Sequence, residues 1–474
     1  MKRRLSLFSV ALAACLAAGC ATQRMPARTS EFGSFHKVPI GLCEDYPKDS
    51  RSLAAARNDL ELLKTNGIHV LRISFSWLDM EPELGKYDWS FWDDFVRMAH
   101  DEYDVRLIPY ICYTPRWAST STNNDYWQKP PANNGQFAEF VTELVRRYQK
   151  RIHSWEIWNE PDNAYYWRGS PKQFADLLDA GAKAVRKADP DATVVMGGLA
   201  WNPEFVETML ASPAISNIDV INLHNYYETW ASEPLERIPD YIGRAADLIH
   251  QNGQHQPIWL AEVGYSDFRR GAYVSDQYVA HFENEHTPEA QAASLFRVMA
   301  LALTSGKVSL VAWYRIHDLP MTQGVIGDEN NRHLGILDTD DRAKPALRAL
   351  QFFDSLFPNG SRCIDDEVRV TKRIGSPIEV HAFQRSDGSL VIIAWQKDYI
   401  PGLAVSSHQS LIPDQRVATI DLELPFLIKD KGVNYDDLGK LRGKIAVSHH
   451  GRTSRISCEV KNGTVTVLQV ASFE

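Results

Sequence analysis

Eight short apolar runs, each followed by a segment of helical period, constrain this chain more than any other feature. The runs are "VPIGLC" (38–43), "HVLRISFSW" (69–77), "VRLIPYIC" (105–112), "IHSWEIWN" (152–159), "TVVMGGLA" (193–200), "IDVINLHNYY" (218–227), "PIWLAEVGY" (257–265) and "VSLVAWYRI" (308–316). Each has strand length, and nearly continuous apolar character means a sheet covered on both faces, hence parallel strands. The intervening segments carry helix signals. Leu53, Ala56, Leu60 and Leu63 form one stripe that Gly67 ends, while Ser170-Pro171 and Thr287-Pro288 read as N-caps followed by proline. "KPALRALQFFDSLF" (344–357) supplies a last helix. Eight such units close most economically into an α/β (β/α)8 TIM barrel over residues 38–357. A doubly wound open sheet is the alternative, but no G-x-G-x-x-G stands at any strand-to-helix turn.

Residues 358–474 have another texture. "VRVTKRI", "IEVHAFQRSDGSLVIIAW", "ATIDLELPF" and "GTVTVLQVASF" are β-branched runs separated by turns such as Asp387-Gly388 and Asn462-Gly463. They predict a small β-sandwich domain. At the other end, "MKRRLSLFSVALAACLAAGC" (1–20) reads as an export signal, with an apolar core too short to span a bilayer comfortably. Its "AAGC" resembles a bacterial lipobox, which would make Cys20 the lipidated residue after cleavage. Residues 21–37 would then be a tether and lead-in. This predicts a periplasmic or outer-membrane-anchored lipoprotein, with ordinary secretion as the alternative and a lipid anchor as the only membrane contact.

An oxidising compartment permits disulfides, and Cys363 and Cys458 make the more plausible pair because both lie in the C-terminal region. No CxxC or clustered Cys/His spacing points to zinc, and "IGLCEDY" offers no H-x-H ligand pair, so no metal is expected. The formal charge of −9, with no extended Lys/Arg run beyond the leader, argues against a nucleic-acid partner.

Barrel chemistry sits at the C-terminal ends of the strands. The fourth run ends in Asn159-Glu160-Pro161, and the seventh carries Glu262 at the corresponding place. Two carboxylates converging on one barrel mouth are what glycosidic cleavage requires: one protonates the leaving oxygen, the other attacks the sugar or activates water. "WNEP" ending strand 4, with a glutamate ending strand 7, resembles clan A of the glycoside hydrolases. Within that clan the layout is most similar to family 39, with family 5 cellulase-like enzymes second.

The resemblance implies Glu160 as acid/base, Glu262 as nucleophile and Asn159 on the sugar 2-hydroxyl. It also implies Arg72 and Tyr226 holding the nucleophile, His224 beside them, Trp313 as a platform under the sugar, and no cofactor. Arg72 lies in an apolar strand and so needs a buried anion whatever its role. Glu156, about 13 Å deeper than Glu160 at strand rise, reads as a structural partner for Arg72 or His153. Each other position also has a packing reading. Cleft-wall candidates are Glu44, Trp117, Trp127, Tyr165, Tyr166, Trp167, Trp201, Trp230 and Tyr265. Twelve of the 13 tryptophans fall within residues 77–313, which favours a carbohydrate cleft. The expectation is a retaining O-glycosidase acting on a poly- or oligosaccharide, with a bacterial exopolysaccharide as a candidate substrate. A catalytically silent carbohydrate-binding lipoprotein on the same fold is the alternative.

Overall fold

Strands that are apolar on both faces need helices outside and packed side chains within, and this chain provides both. In the computed structural model, which describes residues 35–200, 202–231, 233–268, 287–325, 329–397 and 416–472, the eight runs form eight strands. They are β1 (Ile40–Glu44), β2 (Val70–Ser76), β3 (Arg106–Cys112), β4 (Ser154–Asn159), β5 (Thr193–Leu199), β6 (Val220–Asn225), β7 (Ile258–Val263) and β8 (Val308–Tyr314). They pair in sequence order, and β8 returns to β1, closing a parallel barrel. The leader with Cys20, most of the lead-in, and Trp201 lie outside the described residues. Among the described residues no helix is long and apolar enough to cross a membrane.

Strand parity sorts side chains into two layers. Cys43, Val70, Ile108, Val195, Val220, Trp259, Ala261, Leu310 and Ala312 form a buried cluster inside the barrel. Leu42, Leu71, Ile111, Ile157 and Trp313 belong to the larger core between strands and helices. Helix Leu53–Thr65 buries Ala56, Leu60 and Leu63 on that core, and Gly67, at φ 68°, follows its end. Helix Pro171–Ala188 opens on a capping box between Ser170 and Gln173. Helix Pro288–Thr304 opens at Thr287, whose hydroxyl accepts from the Ala290 N–H at 3.1 Å.

The tail contributes nine strands: β9 (Ser361–Cys363), β10 (Arg369–Ile374), β11 (Ile378–Arg385), β12 (Leu390–Gln396), β13 (Val417–Leu424), β14 (Ile428–Asp436), β15 (Leu441–His450), β16 (Thr453–Lys461) and β17 (Thr466–Ser472). They run antiparallel in the order β10-β13-β16-β15-β14-β17-β12-β11-β9 and enclose a second core that includes Ile392, Leu422, Ile456 and Leu468. Phe383, Val391, Ile393 and Trp395 face the other way and join the barrel's outer core. Trp395 also donates to Glu236 (2.6 Å), which accepts from Arg297 of helix Pro288–Thr304 (2.7 Å).

The expected Cys363–Cys458 disulfide is absent, and both thiols are free. Cys363 in β9, at one edge of the sheet, packs on the barrel-side core, whereas Cys458 in β16 is buried in the sandwich core. Membership of one domain did not bring the two together.

Candidate active site

A guanidinium buried in an apolar barrel must find its counter-charges among neighbouring strands. Arg72, 1% exposed on β2, finds them on β4 and β7. Its Nε and Nη2 donate to the two carboxylate oxygens of Glu156 at 2.8 and 2.9 Å. Its Nη1 donates to Glu262 Oε2 at 2.7 Å, and Nη2 also reaches Asn159 Oδ1 at 2.8 Å. The Tyr110 ring lies beneath it, 4.3 Å from centroid to guanidinium carbon. Glu156 is fully buried and accepts further bonds from the Gly198 N–H (2.7 Å) and the Asn222 amide (3.1 Å). This knot sits below the mouth and fixes the ends of β2, β4, β6 and β7 relative to one another.

Above it lie the two glutamates. At Trp158 (φ 75°) and again at Glu160 (φ 41°) the backbone turns left-handed, breaking the alternation of β4. Asn159 can therefore reach Arg72 while Glu160 still points into the mouth. Glu160 Oε1 lies 2.9 Å from His224 Nδ1, and Oε2 accepts from the Asn163 amide at 2.7 Å. Burial pushes the Glu160 carboxyl up to about 7, which the Asn163 bond and the Arg72 charge only partly offset. Glu262 accepts from Arg72 on one oxygen and from the Tyr226 hydroxyl, at 2.7 Å, on the other. Burial also raises Glu262, with His224, Arg72 and Tyr226 pulling it down and Glu160 pushing it up. Desolvation outweighs the pull of Arg72 and Tyr226, so the net direction is upward. The distribution of partners nevertheless differs: Glu262 has a guanidinium and a phenol, whereas Glu160 has a neutral amide and an imidazole.

Burial lowers His224 to about 4, so the imidazole is neutral at pH 7. Its Nδ1 faces Glu160 and lies 3.6 Å from Glu262, while its buried Nε2 has no partner and abuts Gly198, where any Cβ would overlap it. With the single ring proton on Nδ1, His224 donates to Glu160, and glycine on β5 makes room for the ring. Glu160, His224 and Glu262 offer ligand atoms that all lie within 4.8 Å of one another. A divalent ion could bridge such a set, but Arg72 already occupies Glu262 and burial favours neutral Glu160. Asp267, Asp318 and His333 form a second such group, where the buried Lys344 ammonium lies 3.0 and 2.8 Å from the two carboxylates.

Several other expected site residues lie elsewhere, mostly for reasons of parity. Trp313 is fully buried in the outer core with its indole N–H on the Leu334 carbonyl, so it is no sugar platform. Tyr314, one residue on, faces the barrel interior with Leu310 and Ala312 and is only partly buried. Glu44 likewise points outward, 3% exposed, and binds the Arg315 guanidinium and the His317 N–H. Asp45, directly after β1, is the carboxylate that turns inward, to the Ser74 N–H and the Tyr110 hydroxyl. Trp167, 3% exposed, packs edge-on against Trp158 and Phe174, and Tyr265 is fully buried.

Trp117 is half-buried, its indole N–H bound to the Glu81 carbonyl and its ring edge-on to Trp77. Trp230 packs on Tyr226, with centroids 4.5 Å apart. Tyr166 stacks on Tyr113 (6.2 Å), which meets Trp127 edge-on (5.0 Å), while Tyr165 remains half-buried. Tyr113, Tyr314 and Asp45 were missed by the sequence reading. Counting parity back from the barrel-filling residues Ala312 and Cys43 would have found the last two.

A closed parallel barrel with two facing glutamates at the ends of strands 4 and 7 defines a class, the clan A glycoside hydrolase architecture. Residues 46–290 match the model of the cellulase family, glycosyl hydrolase family 5, and the chain belongs to that family. A β-xylosidase from Geobacillus stearothermophilus is 21% identical over 319 residues, which span 60% of this chain and 57% of that protein. The chain therefore covers less than two thirds of the length of this curated relative.

Among solved structures, a family 39 glycoside hydrolase from Bacteroides cellulosilyticus WH2 superposes with a TM-score of 0.64 at 18% identity, over 91% of this chain and 81% of that one. A family 39 enzyme from Xanthomonas axonopodis pv. citri gives 0.61 at 16% identity, over 92% and 94%. These likenesses establish the shared fold, tail included. Of the two families suggested by sequence, the matching family model is that of family 5, while family 39 is represented among structures of similar fold.

Proposed function

We propose that the protein is a retaining O-glycoside hydrolase that works by double displacement. One observation carries the reading: two buried glutamates, each with one oxygen within 4.8 Å of one on the other, have different kinds of partner. Separations of about 5–5.5 Å suit direct attack by one carboxylate, whereas inversion needs about 6.5–9.5 Å to admit a water. The guanidinium and phenol on Glu262 favour its anion, so the proton the pair retains resides on Glu160. Glu262 attacks the anomeric carbon while Glu160 gives its proton to the departing oxygen. Ester formation then removes the Glu262 charge, which lowers the cost of ionising Glu160. As a carboxylate, Glu160 takes a proton from the water that hydrolyses the ester, and both groups return to their first state. Neutral His224 orients the Glu160 carboxyl throughout.

The similarity to a β-xylosidase, on a fold shared with family 39 enzymes, supports xylose-configured glycosides as the first substrates to test. The leader ending in Cys20 supports export and lipid anchoring, and with them action on an extracellular or periplasmic polysaccharide such as an exopolysaccharide. Proton NMR of the first-formed product tests the mechanism. The expected product has the anomeric configuration of the substrate; the opposite anomer would mean inversion.

A further inference from the structure

We infer that Asp45 is a specificity residue: its free carboxylate oxygen accepts hydrogen bonds from hydroxyls of the bound sugar, so that the site takes neutral glycosides and rejects uronides. The inference deepens the glycosidase reading and rests on it for where the sugar lies.

Asp45 directly follows β1. Cys43, two residues earlier, faces the barrel interior and pairs in register with Arg72 of β2 on one side and Tyr314 of β8 on the other. Asp45 is the next inward position toward the mouth, between the strands that carry the nucleophile's guanidinium and the partly exposed Tyr314 ring. Its Oδ1 is pinned by two donors, the Ser74 N–H at 2.9 Å and the Tyr110 hydroxyl at 2.7 Å. Tyr110 is the ring beneath Arg72, so Asp45 stands one ring away from the guanidinium that binds Glu262. Among the described residues Oδ2 receives no hydrogen bond and no cation forms a salt bridge with Asp45.

A half-buried carboxylate oxygen without donors is short of hydrogen bonds that water or a ligand must provide. Neutral glycosides and uronides alike offer ring hydroxyls as donors, but the carboxylate of a uronide brings like charge against Asp45 that a neutral sugar does not. Arg72 offers a uronate no relief, being engaged by Glu156, Glu262 and Asn159.

The test is calorimetric titration of the intact protein with non-hydrolysable phenyl 1-thio-β-glycosides of xylose, glucose, galactose and mannose, and with those of glucuronate and galacturonate. At least one neutral probe should bind at least 10-fold tighter than either uronide. Asp45→Asn keeps an oxygen for Ser74 and Tyr110 but replaces the free acceptor with an N–H donor. It should weaken the neutral probe by about 10- to 100-fold, as loss of a charged acceptor does, and bring neutral and uronide affinities within about threefold. Equal binding of neutral and uronide probes by the parent, no binding of any neutral probe, or an unchanged ratio in Asp45→Asn would each overturn the assignment. The parent comparison stands even if the variant does not fold. Hydrolysis of the matching O-glycosides is scored separately: binding without turnover would sink the glycosidase reading and leave Asp45 in place.

Discussion

Glu160 and Glu262 are the same residue type at similar burial, 7% and 8% exposed, and their neighbours separate their roles. Glu262 has Arg72 and Tyr226; Glu160 has Asn163 and neutral His224. An acid held near 7 is protonated below that pH and lost above it. The alkaline limb of the kcat/KM profile should therefore fall near pH 7, and in Glu160→Gln that limb should vanish. On substrates with poor leaving groups the same variant should lose ~10²–10⁴-fold in kcat. A pH–rate series on parent and variant checks both; an unchanged alkaline limb would assign the acid elsewhere. The charges behind this site were legible in sequence because they are anomalies. Arg72 within "HVLRISFSW" and Glu160 after "IHSWEIWN" interrupt apolar runs, and burying a charge demands a partner.

Elements were legible wherever burial on both faces left one unbroken apolar run, which is why all eight barrel strands lie within the runs or one residue beyond them. What sequence did not reveal is the direction a side chain takes at a strand end. Two left-handed residues break the alternation of β4, so counting by twos from Glu156 to Glu160 does not describe that strand. In β8 the larger aromatic, Trp313, drew the platform role, yet parity sends it to the helices and Tyr314 to the mouth. The two should respond differently to truncation. Tyr314→Ala should raise KM with little change in melting temperature. Trp313→Ala should cost ~3–5 kcal/mol of stability, read by denaturant unfolding. The reverse pattern would restore Trp313 to the site. Strands β14, β15 and β16 were missed because polar and charged residues leave too few apolar residues per strand, as in "IKDKGVNYD", "LRGKIAVSHH" and "TSRISCEVK".

At the scale of the molecule, the barrel maintains its site against its own stability. In the unfolded chain Glu160 ionises near 4.5, but in the fold near 7. Below 4.5 both states are protonated and the shift costs nothing. Between 4.5 and 7 the unfolded chain releases a proton that the folded one retains, so stability falls as pH rises, and above 7 the full penalty of a buried carboxylate applies. Glu160→Gln should therefore stabilise the protein by up to ~3 kcal/mol at pH 8 relative to its effect at pH 4.5, measured as a difference in unfolding free energy. A pH-independent difference would mean Glu160 is not held neutral by its site. The tail extends the same framework, because Trp395 binds Glu236 and, through it, Arg297 of a barrel helix.

The central claim is that Glu262 forms a covalent bond to the sugar. Inactivation with an activated 2-fluoro glycoside of the preferred sugar, followed by proteolysis and peptide mass spectrometry, measures it directly. One glycosyl adduct per chain is expected, on Glu262 in "PIWLAEVGY", and none in Glu262→Gln. An adduct on any other residue, or turnover of the parent substrate with no adduct formed, would contradict it.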